Sequence, residues 1–148
     1  MKRFGLIAVF AGFGIGCWER HRTPCVYEVP DGFRGWILIE SGRKECPTIQ
    51  TENGKHIFKI PASGRLCVSD SLEAGVAKDE FYFVGRQRTL ISDDTSGEEG
   101  LPRVRGGGVG GPGSRTFLHY FVGTEEELKQ QPLMELFERV RTESGPPA

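Results

Sequence analysis

Between Val26 and Ser69 the chain writes one pattern twice. A run of branched and aromatic residues is interrupted by a proline–glycine corner and then resumes. Val26 to Val29 meets Pro30-Asp31-Gly32 and continues as Arg34 to Glu40; His56 to Ile60 meets Pro61-Ala62-Ser63-Gly64 and continues as Arg65 to Ser69. Proline presets φ at one corner of a turn and glycine accepts the left-handed corner, so each interruption reads as a tight hairpin turn between strands. Trp36 and Leu38 fall on one face of the second run, Ile37 and Ile39 on the other. A strand apolar on both faces belongs in the middle of a sheet or under cover on both sides.

Further strands follow. Asp79 to Val84 alternates Phe81 and Phe83 with Tyr82 and Val84, Gly85-Arg86 turns it into Gln87 to Ser92, and Arg115 to Val122 is the last and most apolar run. At least six strands joined by short turns, with no amphipathic helix between them, predict a mainly β chain. The expected architecture is a small antiparallel β-sandwich or partly open barrel, transthyretin-like or Ig-like, arranged as a simple meander. Trp36, Phe58, Phe81 and Phe83 are the expected core, because aromatics carry much of the burial in a small domain.

At the end of the chain, Thr124-x-x-Glu127 has the form of a capping box, and Glu125 to Glu127 suit a positive helix N-terminus. One short C-terminal helix is expected over 124–142, broken or restarted at Pro132, with Leu133, Leu136, Phe137 and Val140 packed on the sheet. Residues 143–148 are expected to be a disordered tail. Ser92 to Ser114 is rich in glycine and acidic residues, and a solvated flexible loop is expected over 92–114.

The first residues set the compartment. Lys2 and Arg3 precede an apolar run from Phe4 to Gly16 that is too short to span a bilayer as a helix but has the size of a signal-peptide core. It ends in Gly14-Ile15-Gly16-Cys17, which resembles a bacterial lipoprotein signal: a small residue before a cysteine that is lipidated and becomes the new N-terminus. Gly14 departs from the leucine usual in that pattern. The same bond also suits ordinary signal peptidase, since Gly14-x-Gly16 places small residues where that enzyme needs them, and a plain N-terminal core helix is the remaining alternative. The expected organisation is a signal peptide over 1–16, a lipid-anchored linker over 17–24 with Cys17 lipidated, and one domain over 25–142. The linker from Trp18 to Pro24 reaches at most about 25 Å.

Three further cysteines remain. In a simple meander Cys25, Cys46 and Cys67 all lie at one end of the sheet, and export favours a disulfide. Cys46–Cys67 is the expected pair, with Cys25 free or buried; three buried thiols are the alternative.

Several chemistries find no support. With 19 basic and 20 acidic residues there is no positive excess to neutralise phosphates, so nucleic acid is not an expected partner. Gly106-x-Gly108-x-x-Gly111 matches the dinucleotide fingerprint by letter, but a strand follows it where the fingerprint needs a helix. Asp93, Asp94, Glu98 and Glu99 do not have EF-hand spacing, His21, His56 and His119 do not have ligand spacing, and no Cys-x-x-Cys occurs. No cofactor, metal or catalytic residue is expected.

Val29-Pro30-Asp31-Gly32-Phe33-Arg34-Gly35-Trp36, Ile60-Pro61-x-x-Gly64 and Phe121-Val122-Gly123-Thr124-Glu125-Glu126, in that order, resemble a family of small uncharacterised bacterial envelope proteins, a domain of unknown function. The resemblance covers most of residues 26–140. It implies a signal-peptide or lipoprotein precursor with one β-rich domain and a short C-terminal helix, and it implies no reaction. The expected function is a non-enzymatic envelope lipoprotein or secreted β domain, exported and either membrane-anchored or released. Its expected partners are the membrane, through lipid on Cys17, and an unknown envelope protein or glycan. A carbohydrate- or peptide-binding transthyretin-like sandwich is the alternative, favoured if exposed Tyr or Trp side chains line one face; a hydrolase with an unrecognised site is the third reading.

Overall fold

A computed structural model of the chain describes residues 20–93 and 100–143. The expected signal peptide, Cys17, Asp94, Glu98, Glu99 and the end of the tail lie outside the described residues.

The described residues form nine strands and two helices. The strands are β1 (Cys25–Pro30), β2 (Gly35–Glu40), β3 (Gln50–Glu52), β4 (Lys55–Lys59), β5 (Arg65–Cys67), β6 (Glu80–Val84), β7 (Arg88–Leu90), β8 (Arg103–Gly110) and β9 (Phe117–Gly123); the helices are α1 (Glu125–Gln130) and α2 (Leu133–Thr142). They build a sandwich of a five-stranded sheet, β3-β4-β1-β6-β7, on a four-stranded sheet, β5-β2-β9-β8.

The chain is mainly β, as its alternation requires, but its sheets are mixed and the meander is not formed. β1 runs parallel to both β4 and β6, and β2 runs parallel to β5. Both proline–glycine corners do turn: Phe33 N–H donates to the Pro30 carbonyl at 3.0 Å, Gly64 N–H donates to the Pro61 carbonyl at 2.8 Å, and Gly32 and Gly64 have φ of 72° and 73°. Each corner carries the chain from one sheet to the other instead of closing a hairpin. The physical reason lies in the flanking strands. β2 is apolar on both faces, with Ile37 and Ile39 under the facing sheet and Leu38 under α2, and it lies inside its own sheet between β5 and β9, while β1 lies inside the other between β4 and β6. Asn53-Gly54 does close a hairpin, between β3 and β4, with both residues at positive φ.

The core lies between the sheets. Tyr27 stacks on Phe58 at 5.3 Å and on Phe81 at 4.3 Å, and meets Tyr120 of the other sheet edge-on at 5.2 Å. Val29, Ile37, Ile39, Leu118 and Val122 complete it. Of the four expected core aromatics, Phe58 and Phe81 are buried, while Phe83 is partly buried against the core. Trp36 is a correction. The alternation of β2 sends Ile37 and Ile39 inward and Trp36 outward, where its indole N–H donates to the Gln131 carbonyl at 2.7 Å.

That outer face is covered by the helices. Val140 is buried with Leu38 and Phe117, and Leu136 and Phe137 pack beside them. Thr124 and Glu127 form the capping box that their spacing predicts. The helix expected over 124–142 is divided at Pro132, where a break or restart was expected: Pro132 has no N–H to continue α1 and stands as the N-cap of α2.

The expected glycine loop over 92–114 is also corrected, since residues 103–110 are strand β8, paired antiparallel with β9. Gly106, at φ 48°, is the extra residue of a β-bulge between Arg105 and Gly107. The glycines that follow supply no side chains, and β9 supplies them instead. A β-carbon on Gly107 would strike the Tyr120 ring, and one on Gly108 would press on the His119 ring at 3.1 Å. Aromatic side chains of one strand cover the glycines of the next.

Cys46 and Cys67 are joined by a disulfide, with Cα atoms 5.8 Å apart, tying the loop before β3 to the end of β5. Cys25 is free and buried in the five-stranded sheet.

Candidate functional site

The segment before β1 is tied down by polar contacts. Arg22 N–H donates to the Val76 carbonyl at 3.2 Å, and Val76 N–H donates to the Arg20 carbonyl at 2.9 Å. Gly75 lies between them at φ 149°, where an added β-carbon would collide with the Arg20 carbonyl. This close crossing aims the Arg22 side chain inward. Its guanidinium makes a bidentate pair with Asp79, at 2.9 and 2.6 Å, and also donates to the Gly75 and Thr23 carbonyls and to Cys25 Sγ. Asp79 accepts two more bonds, from Cys25 N–H at 3.0 Å and from the Tyr120 hydroxyl at 3.3 Å. One carboxylate thus fastens the N-terminal segment, β1 and β9 together.

The electrostatics of this knot are those of a closed structural joint. Burial pushes the Cys25 thiol up from its ordinary value, and the Asp79 charge adds to the effect. Burial likewise raises the Tyr27 and Tyr120 phenols. All three stay neutral and protonated at physiological pH, and the thiol is far from an activated nucleophile.

Beside the knot the sandwich does not close. A cavity of about 500 Å³ opens between the sheets, walled by Cys25 and Phe58 on one side, Val109 and Leu118 on the other, and Leu72 at the rim. Past Tyr120, which lines both spaces, an open groove of about 890 Å³ continues between Phe81 and Ile91 on one side and Val104 and Gly106 on the other. The two spaces form a seam along β8, where Gly106 to Gly108 give the layer no side chains.

Few residues singled out in the sequence meet here. Of the histidines, His56 borders the cavity with Nδ1 3.2 Å from the Thr51 hydroxyl, His21 bridges to Val76, and His119 lies on the outer face against Trp36 and Phe137. Among the described residues no three His, Cys, Asp or Glu side chains are placed to hold a metal. The residues that build the seam, Arg22, Asp79, Leu72, Val109 and Tyr120, escaped the sequence reading. Arg22 and Asp79 are 57 positions apart and carry no local signal. Val104 and Val109 are five residues apart, a spacing that would put them on opposite faces of a regular strand; only the bulge at Gly106 brings both to the inner face, so β8 carries no alternation signal.

The fold has a solved counterpart. A crystal structure of a protein from Bacillus anthracis, described as a putative lipoprotein, superposes with a TM-score of 0.55 at 16% identity, covering 80% of this chain and 94% of that one. No curated protein matches the chain. Residues 21–111, from the Arg22 segment through β8, match a family profile, and the chain therefore belongs to DUF6843, a family of unknown function.

Proposed function

We propose that the chain is a non-enzymatic protein of the bacterial cell envelope, held to the membrane through lipid on Cys17, whose sandwich binds a ligand in the seam beside β8. The observation that carries the reading is the Cys46–Cys67 disulfide in a chain that opens with an export-like leader ending at Gly16-Cys17. Structural disulfides belong to oxidising compartments. The description of the Bacillus anthracis protein as a putative lipoprotein points the same way.

The seam supports binding over catalysis. Its cysteine is buried with a raised pKa, and Arg22 and Asp79 are spent on each other and on the backbone. A glycan platform finds little support. Tyr27 is fully buried, Trp36 is half-buried under Gln131, and Tyr82 lies beneath the guanidinium of Arg88 at 4.2 Å.

Intact mass of the protein from the membrane fraction of a bacterial host tests the location. The expected mass is that of residues 17–148 plus acyl chains. Soluble protein starting at Met1 would overturn the reading.

A further inference from the structure

We propose that the seam, read above as the ligand site, takes an extended peptide segment of another protein, which pairs with the outer edge of β8 as an added strand and seats an apolar side chain in the cavity beside Val109. The inference rests on that reading and names the ligand class.

The edge is unusual for this sandwich. Three of the four outer strands, β3, β5 and β7, have three residues each, whereas β8 has eight. Soluble proteins usually blunt such an edge with shortness, charge, proline or a bulge. β8 carries its two arginines and its bulge in its first half, up to Gly106, and residues 107–110 have no charge, proline or bulge.

Its main-chain groups are in phase for pairing. Leu38 N–H donates to the Gly64 carbonyl on the β5 side, so the Leu38 backbone faces away from β9. Its cross-strand partner His119 therefore turns its own backbone towards β8, where it meets Gly108. Alternation then turns the N–H and C=O groups of Gly107 and Val109 away from β9, to the outer edge. Among the described residues β8 pairs with no strand but β9; on its outer edge the Ser92 carbonyl takes the Val104 N–H at 3.0 Å, and Gly107 and Val109 lie beyond that contact.

The side-chain layer is incomplete in the same place. Val109 stands opposite the inward-facing Leu118, yet it is 59% exposed. An added strand repeats every two residues, so alternate side chains would enter this layer and reach the cavity walled by Phe58, Leu72 and Leu118. Those side chains are apolar: Phe58, Leu72 and Leu118 form the wall, and the charged groups at the cavity already have partners, Arg22 in Asp79 and three backbone or sulfur acceptors, Asp70 in the Ile49 N–H and Glu73 in the Thr23 N–H. A second copy of β8 fits less well, since glycine would face glycine and nothing larger than valine would fill the space.

The test uses the full chain labelled with nitrogen-15 and titrated with neutral heptapeptides that alternate Thr with Leu, or Thr with Ala. The Leu peptide is expected to bind at least about tenfold more tightly than the Ala peptide, as burial of the larger side chain requires. Amides of Gly107 and Val109 should shift and gain protection from exchange. N-methylating the peptide on its β8-facing residues should weaken binding by at least about tenfold, as should Val109→Pro, by removing main-chain hydrogen bonds. Equal binding of the methylated peptide, shifts confined to another surface, or β8–β8 contacts between copies without peptide would each overturn strand addition. Neutral N-phenyl-1-naphthylamine probes the cavity separately. If it binds and Leu72→Arg abolishes that binding while no peptide binds, strand addition falls and the ligand seam stands; if neither probe binds, both fall.

Discussion

Gly107 stands opposite Tyr120 with no room for a side chain of its own: a β-carbon there would lie 2.6 Å from Cε1 of the tyrosine ring. Gly107→Ala is accordingly expected to cost about 1–3 kcal/mol, the range for overfilling a packed site. Gly110→Ala meets open space and should be nearly neutral. Urea unfolding of the two variants checks this, and equal midpoints would show that the ring is free to move aside.

Glu40 is 1% exposed and is held by Arg115 through two bonds of 2.7 Å and by Arg43 at 3.1 Å. Arg115→Met should cost about 3 kcal/mol or more, because a buried carboxylate loses its main partner. The Arg115 guanidinium, with help from Arg43 and against burial, holds the Glu40 carboxyl below the usual range. Its contribution is complete above the unfolded value of about 4.3 and disappears as pH falls through the lower folded value. Unfolding midpoints followed down from about pH 5 should fall more steeply for the wild type than for Glu40→Gln. Parallel curves would remove Glu40 from the acid response.

His119 behaves in the opposite chemical sense but loses stability in the same direction. Burial lowers its pKa, so the folded state keeps a neutral ring while the unfolded state takes up a proton below about pH 6.5. Stability is complete above that unfolded value and declines as pH drops towards the lower folded one. Replacing His119 with Phe, which keeps the edge contacts to Trp36 and Phe137, should flatten the decline in thermal midpoint across this interval. An unchanged slope would assign it to other groups.

The Cys46–Cys67 bridge spans a separation of 21 residues. Removing it as Cys46→Ala with Cys67→Ala should cost about 3 kcal/mol through the freedom returned to the unfolded chain. Chemical unfolding with and without the bridge measures this. A negligible change would mean that the loop is held by its hydrogen bonds, such as Ile49 N–H to Asp70 at 2.7 Å.

What the sequence makes legible is local. The alternation over β1, β2, β6 and β9, the capping box of Thr124 with Glu127 and the break at Pro132 can be read from neighbouring residues; the Cys46–Cys67 pair is formed although the meander from which it was expected is not. Pairing is not local. Pro30-Asp31-Gly32 bends the backbone the same way whether the next strand returns beside the first or crosses to the opposite sheet. β8 was hidden because strand propensity is a property of side chains, and here the rings belong to Tyr120 and His119 on the neighbouring strand. The Arg22–Asp79 joint was hidden by distance along the chain. These two hidden features border the seam, so the candidate site was the least readable part of the molecule.

β1 is the middle strand of its sheet, hydrogen-bonded on both sides to strands that run in its own direction. Its first residue, Cys25, directly follows the N-terminal segment that Arg20 and Arg22 bond to Val76. Tension applied through that segment along the strand loads both rows of hydrogen bonds in shear, and they must fail together; an edge strand would peel away one bond at a time. Resistance to forced unfolding is a matter of rate, not of equilibrium. The strand that follows the N-terminal segment is therefore the one best placed to carry mechanical load.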